Sequence, residues 1–269
     1  MSRHFILLIS VAGMLATHAG CATPVRQKRT FPIPSGPAKQ FSEDGGREVS
    51  PPMGGGFLQL RDGQGRQIQI QWEKQSASVG KPNGGRLEGG VQFPKEGPGW
   101  MRKGGNGFGT DETVRILNWA FQENARVFPG TVPVVLGDLS AEGGGPLKSH
   151  KSHQSGRDAD IGYFADGNRP LRFFETMDES NLDTEKTWHL VETLVVTGYV
   201  RFIFMSYRVQ ELLYEEALQA GWTPENLASI FQYPRGPKAR QGLIRHAKGH
   251  QDHFHIRFKC PAGDAECIP

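Results

Sequence analysis

The segment His253–Phe258, HFHIRF, constrains the fold more than any other stretch of the chain. Successive side chains of an extended strand point to opposite faces. Phe254, Ile256 and Phe258 therefore share one face, and His253 and His255 share the other. Such a strand needs a sheet with one apolar, covered face and one face left for polar chemistry. Two imidazoles side by side repel each other if both are charged. That sets them apart from the lone histidine, tied to one backbone partner, that a core ordinarily holds.

The chain has nine histidines, and they are not scattered. Setting aside His4 and His18 near the N-terminus, seven remain, and six of these fall in two groups. His150 and His153 lie in KSHKSHQSGRDAD, and His246, His250, His253 and His255 in RHAKGHQDHFH. His189 stands alone in a helical pattern and receives no site role. Asp160 follows His153 by seven residues, in a strand pattern DADIGYF. There Ala159, Ile161 and Tyr163 share one face and Asp158 and Asp160 the other. Gly156 permits a tight bend between them. A loop histidine, a strand carboxylate and a strand histidine form a two-nitrogen, one-oxygen set. Zinc takes such a set tetrahedrally and keeps a fourth place for water. The H-E-x-x-H pattern is absent, which excludes a helix-borne zincin site.

The remaining sequence frames this site. MSRHFILLISVAGMLATHAGCATP has a basic start, an apolar run too short to span a bilayer and then small residues, the layout of a secretory signal over 1–21. Cys21 after Ala19 and Gly20 resembles a lipobox, so a lipid anchor on Cys21 and simple secretion are both open. Residues 22–56 are rich in Pro, Gly and polar side chains and read as a tether. FLQLRDGQGRQIQIQWE, within 57–77, alternates on both sides of DGQG and reads as a hairpin. Residues 78–109 show no assignable regular structure. Beyond them, helices are expected at 110–128, 183–199, 207–221 and 223–231, and strands at 132–139, 158–164, 200–205 and 253–258. The whole reads as an α+β domain, with helices packed on a mostly antiparallel sheet. Cys260 and Cys267 bracket a turn-like PAGDAE and are expected to pair in an oxidising compartment. The net charge of +3 is no signature of nucleic-acid binding, and no segment interleaves basic and aromatic residues as such proteins do.

SHKSHQSGRDADIGYF together with HQDHFHIRFKCPAGDAEC resembles the penicillin-insensitive murein endopeptidases, part of a wider group of zinc peptidases that includes lysostaphin-type and D-Ala-D-Ala peptidases (LAS). The likeness runs from about Gly85 to Cys267. It implies a LAS-like zinc peptidase domain over 78–269, and the signal-like start adds the expectation of a periplasmic location. His153, Asp160 and His255 become the implied zinc ligands. His250 and His253 match non-ligand active-site histidines, and His150 matches a histidine that in the family can hold a second metal. The Cys260–Cys267 pairing also fits the family. The implied substrate is the peptide cross-link of peptidoglycan, with no nucleic acid and no membrane contact beyond the Cys21 anchor.

In the expected mechanism, zinc lowers the pKa of bound water toward about 7 and polarises a carbonyl. No glutamate adjoins the H-x-H pair, so His253 is expected as base and His250 as its orienter or the oxyanion stabiliser, with the two roles exchangeable. Asp158 is either an acceptor behind a ligand histidine or a solvent-facing aspartate. Lys148 and Arg157 read as solvated charges. A D-Ala-D-Ala-type carboxypeptidase and a non-catalytic zinc or cell-wall-binding module are the competing readings. The first usually carries a glutamate where this chain has Gln251 and Asp252.

Overall fold

The computed structural model describes residues 55–61 and 66–269. The signal-like start, Cys21, the tether up to residue 54 and the DGQG turn lie outside the described residues. The expected hairpin forms, β1 (Gly55–Arg61) pairing antiparallel with β2 (Gln67–Glu73). Residues with no legible periodicity then build a second hairpin, β3 (Ala77–Lys81) and β4 (Gly84–Glu88). Four short strands follow: β5 (Val91–Gln92), β6 (Glu96–Gly97), β7 (Trp100–Arg102) and β8 (Phe108–Gly109).

Helix α1 (Asp111–Val127) starts where Thr110 accepts a hydrogen bond from the backbone N–H of Thr113, with Asp111 and Glu112 at the positive end of the helix dipole. Next come β9 (Val134–Leu136), β10 (Asp158–Gly162), α2 (Thr184–Val196), β11 (Val200–Met205), α3 (Tyr207–Gln219), α4 (Pro224–Ile230), β12 (Ile244–His246) and β13 (His253–Phe258). Asp183, Ser206 and Thr223 cap α2, α3 and α4 through their side-chain oxygens.

Seven strands form the main sheet, in the order β12-β11-β13-β10-β9-β7-β6. The fold is α+β as expected, but the sheet is mixed. The central run β11-β13-β10-β9 is antiparallel, while β12 joins β11 in parallel and β7 joins β9 in parallel. Each parallel joint needs a long crossover, and α3 with α4 supplies the one between β11 and β12. Phe254, Ile256, Ile161 and Ile203 turn to the core shared with Leu190, Leu194 and Leu213 from the helices.

The β1–β2 hairpin is a separate two-stranded sheet, not an edge of the main one. It docks on α1, where Trp72 donates its indole N–H to Glu112 Oε1 at 3.2 Å. Cys260 and Cys267 form the expected disulfide. The segment it closes returns to β3: Gly80 donates its N–H to Glu266 O, and Ile268 donates its own to Gly80 O. Arg157, read from sequence as a solvated charge, is instead fully buried. It donates to Ser78 Oγ and to the carbonyls of Phe258 and Ile268, tying β3, β13 and the C-terminal segment together.

Candidate metal centre and active site

Strands β10 and β13 lie side by side with Asp160 opposite His255, Asp158 opposite Arg257 and Gly162 opposite His253. Residues directly opposite project to the same face, so this register alone brings a carboxylate and an imidazole together. His153 arrives from the preceding loop. It adopts φ 69°, an uncommon left-handed conformation for a side-chain-bearing residue. Three contacts hold it there. Its N–H donates to Asp158 Oδ2 at 2.9 Å, its carbonyl accepts from Ser140 Oγ at 2.6 Å, and its Nδ1–H donates to Leu139 O at 2.7 Å. Gly156, at φ 74°, lets the loop turn: a Cβ there would lie 2.6 Å from the Leu87 side chain.

The bond to Leu139 O fixes the tautomer of His153 and leaves the Nε2 lone pair facing inward, because a carbonyl only accepts. Nε2 of His153, Oδ1 of Asp160 and Nδ1 of His255 then form a triangle with edges of 3.3, 3.0 and 3.1 Å. Donors held about 2.0–2.1 Å from a tetrahedral zinc stand roughly 3.3 Å apart, so the triangle has the dimensions of one face of such a site. All three residues are buried. Burial opposes the charge on Asp160, but the adjoining imidazoles of His153 and His255 outweigh it and hold the carboxyl well below the usual range. Burial also opposes a proton on His255. Asp158 and Asp160 outweigh it and push the imidazole up to about 9. The pocket therefore favours a positive charge at this spot, which a metal cation also satisfies. Its residues fit zinc.

Asp158 is buried rather than solvent-facing. It receives both Arg257 Nε and Nη2, at 2.8 and 3.0 Å, and lies 3.4 Å from His255 Nε2. That nitrogen makes no aligned hydrogen bond among the described residues, and Asp158 is the carboxylate behind it. His150 sits on the other side of Asp160. Its Nε2 is 3.1 Å from Asp138 Oδ2, and its Nδ1 is 3.6 Å from Asp160 Oδ2. Donor atoms of His150, His153 and Asp160 all lie within 4.8 Å of one another. The implied ligand set and the His150 set thus share His153 and Asp160.

His253 and His250 stand at the mouth. Nδ1 of His253 is 2.6 Å from Asp252 Oδ1 and, the carboxylate being an acceptor, carries the proton. Its Nε2 is left bare, 3.8 Å from Asp160 Oδ1. Phe174 stacks on the ring at 4.7 Å and 13°, and the His250 ring lies tilted beside it at 4.9 Å. Phe174 can lie there because Gly137 and Gly162 have no side chains, and a Cβ on Gly137 would approach the ring to 2.6 Å. His250 donates Nδ1–H to Lys248 O at 3.0 Å, and burial lowers its pKa, so it is neutral near pH 7 and presents a lone pair. His150, His153, Asp160, Phe174, His250, His253, His255 and Arg257 line one cleft of about 780 Å³, together with Lys81, Lys151 and Lys248.

Every site residue expected from sequence comes to this cleft except the disulfide pair, which lies beyond the exit of β13. Three contributors escaped the sequence reading. Asp138 lies at the end of an expected strand that was given no site role, and Phe174 in a segment without a motif. Asp252 had been weighed only as a missing glutamate, though its position beside His253 was a signal.

Residues 78–197 match the family described as penicillin-insensitive murein endopeptidase. That match contains His150, His153 and Asp160 and ends before His250. A protein of Haemophilus influenzae named penicillin-insensitive murein endopeptidase is 26% identical over 206 residues, 71% of this chain. The chain spans 66%, just under two thirds, of that relative's length. Both matches make the chain similar to the penicillin-insensitive murein endopeptidases.

Proposed function

We propose that this protein is a zinc-dependent endopeptidase that hydrolyses peptide cross-links of peptidoglycan. Similarity to the murein endopeptidases supports the substrate, and the buried His153–Asp160–His255 triangle carries the metal reading. His153, Asp160 and His255 would hold the zinc, with Asp158 orienting His255. His150 with Asp138 is the place for a second cation. The metal, when bound, supplies Lewis acidity to the peptide carbonyl and makes water acidic enough to react near neutral pH.

The chain's own groups then have separable tasks. His253 is the base: its Nδ1–H is committed to Asp252, and its bare Nε2 faces the cleft. The proton it takes is carried to the leaving amine. Phe174 keeps the ring from rotating. His250 presents an acceptor, so it becomes an oxyanion donor only after gaining a proton. Zinc peptidases of LAS type are the fold class we assign to residues 78–269, with the 22–56 tether and a signal or lipid anchor at Cys21 placing it in the periplasm. Among the described residues no helix is long and apolar enough to cross a membrane.

The test is release of new amino termini from purified cross-linked peptidoglycan by protein of measured zinc content, with and without chelator. Cleavage that stops with chelator and returns with zinc is expected. Chelator-resistant cleavage, or fully zinc-loaded protein that releases nothing, would overturn the reading.

A further inference from the structure

Of the six clustered histidines, His246 alone has no part in the metal centre. It is the last residue of β12, where it shares a face with Ile244 and lies beside Met205 of β11. Ile244 and Met205 are fully buried in the core, so His246 points to the sheet face opposite that of His255. Its Nδ1 accepts the backbone N–H of Tyr207, the first residue of α3, at 3.0 Å. A backbone N–H only donates, so Nδ1 is unprotonated and the neutral ring carries its proton on Nε2. The backbone N–H of His246 donates to Gln232 Oε1, which fixes the end of the strand. Helix α3 does not depend on His246 for its cap, since Ser206 Oγ already accepts from the Val209 N–H.

What the His246 contact holds is the loop that follows. Residues 247–250 leave β12, bring Ala247, Lys248 and His250 to the cleft and return to the joint between β11 and α3. At the start of the loop, the Ala247 N–H donates to Met205 O at 3.2 Å, and His246 Nδ1 takes the Tyr207 N–H. At its end, His250 O accepts from the Ser206 N–H at 2.9 Å and from the Tyr163 hydroxyl at 3.1 Å. Three consecutive residues, Met205, Ser206 and Tyr207, thus close the loop at both ends. The His250 ring is aimed by a carbonyl of the same loop, Lys248 O, so a shift of the loop carries the imidazole with it.

We propose that His246 is a positioning residue for His250. Through the Tyr207 N–H it holds the 247–250 loop in the geometry that presents the His250 imidazole to the substrate. Without the acceptor, the partly buried Tyr207 N–H loses its partner, and the start of the loop keeps a single bond to β11, at Ala247. The metal ligands sit on β10, β13 and the loop of His153, and none of them touches this joint through a hydrogen bond. The inference rests on the proposed role of His250 in cleaving the peptide cross-link.

The test is a double-mutant cycle in the zinc-loaded full chain, with a soluble cross-linked muropeptide as substrate and zinc content measured for every protein. His246→Leu is expected to lower kcat about fivefold to tenfold, the fold-change of one hydrogen bond of ordinary strength, with KM within about twofold and zinc unchanged. His246→Asn is expected to stay within about twofold of wild type, because its Oδ1 stands where Nδ1 stood and accepts the same N–H. In a His250→Ala background, His246→Leu should cost no more than about twofold further. Equal losses in the Leu and Asn variants, a loss of the same size in both backgrounds, or departure of zinc would overturn the positioning role. So would a Leu variant with wild-type kcat. Should His246→Leu fail to fold, His246→Gln takes its place, since its amide oxygen lies one bond beyond the acceptor position. If the wild type cleaves nothing, the functional reading fails, and the contact is judged by hydrogen exchange of the amides of 206–207 and 248–250. Faster exchange in the Leu variant, reversed in the Asn variant, is expected, and identical exchange in all three proteins would then overturn it.

Discussion

Two buried histidines in this protein have opposite fates. His189 lies on α2, donates Nδ1–H to Asn124 Oδ1 at 2.8 Å and meets Phe128 edge to face. Burial pushes its pKa down to about 4. His255 is at least as buried, yet Asp158 and Asp160 push it up to about 9. The difference comes from the partners. Around His189 an amide and a ring accept a neutral imidazole, and the charge of Glu123 is opposed by that of Arg126, whereas around His255 two carboxylates demand a positive charge between them. Burial alone therefore does not mark a site. Burial together with an excess of buried negative charge does.

Substitution at the two positions should separate them most sharply. His255→Ala removes one corner of the ligand triangle. Zinc content should fall below one half per chain, and cleavage should drop roughly 10³-fold or more, the loss of several kcal/mol of electrophilic assistance. His189→Gln should leave both unchanged. Zinc retention in His255→Ala, measured by elemental analysis, would break the comparison. His253→Ala comes next. It should keep its zinc and lose roughly 10²–10⁴-fold in kcat, the range for a general base. Loss of zinc in this variant would move His253 into the ligand set and remove it from proton transfer.

Asp158→Asn probes the charge behind His255. An amide still contacts the ring but no longer stabilises a cation. Zinc affinity, measured by competition with a chromogenic chelator, should weaken by roughly 10–100-fold. Arg257 loses its carboxylate partner in the same variant, so Arg257→Gln is the control. If it weakens zinc as much, the effect runs through strand packing and not through His255.

Much of this contrast was legible in the sequence. Alternation in HFHIRF and DADIGYF assigned His255 and Asp160 to polar faces because a strand's period is a local property. The helix caps Thr110 and Thr223 were legible for the same reason. What was not legible depends on register between distant segments. No pattern places Asp160 opposite His255, or His246 beside Met205, since those are choices of pairing. Strands β3 to β8 were missed because they are short and lie in a glycine-rich stretch, and β5 and β7 find partners beyond their neighbours, on β8 and β9. The parallel joints of β12 and β7 followed from crossovers that a linear reading does not show. Arg157 was misread because charge suggests solvent, and only the surrounding carbonyls reveal why it is inside.

The smallest expected effect concerns stability and not activity. The folded-state pKa of His189 lies below its unfolded value of 6.5, at about 4. Between those values the unfolded chain binds more protons, so the contribution of His189 is fully present above about pH 6.5 and is lost as pH falls toward 4. The loss is on the order of 2–3 kcal/mol, since one unit corresponds to about 1.4 kcal/mol. Glu192, hydrogen-bonded by the Trp222 indole, has the opposite sign. Burial raises its pKa to about 7, so it destabilises the fold as pH rises from about 4.5 to 7. The two trends overlap and partly cancel in the wild type, which is why a plain pH–stability curve does not isolate either. The difference between wild type and His189→Gln does, because Glu192 is common to both. Urea unfolding at pH 7 and pH 4.5 should show the variant losing less stability on acidification than the wild type. Parallel curves would mean that His189 keeps a near-normal pKa in the fold, and its contrast with His255 would rest on charge partners at one site only.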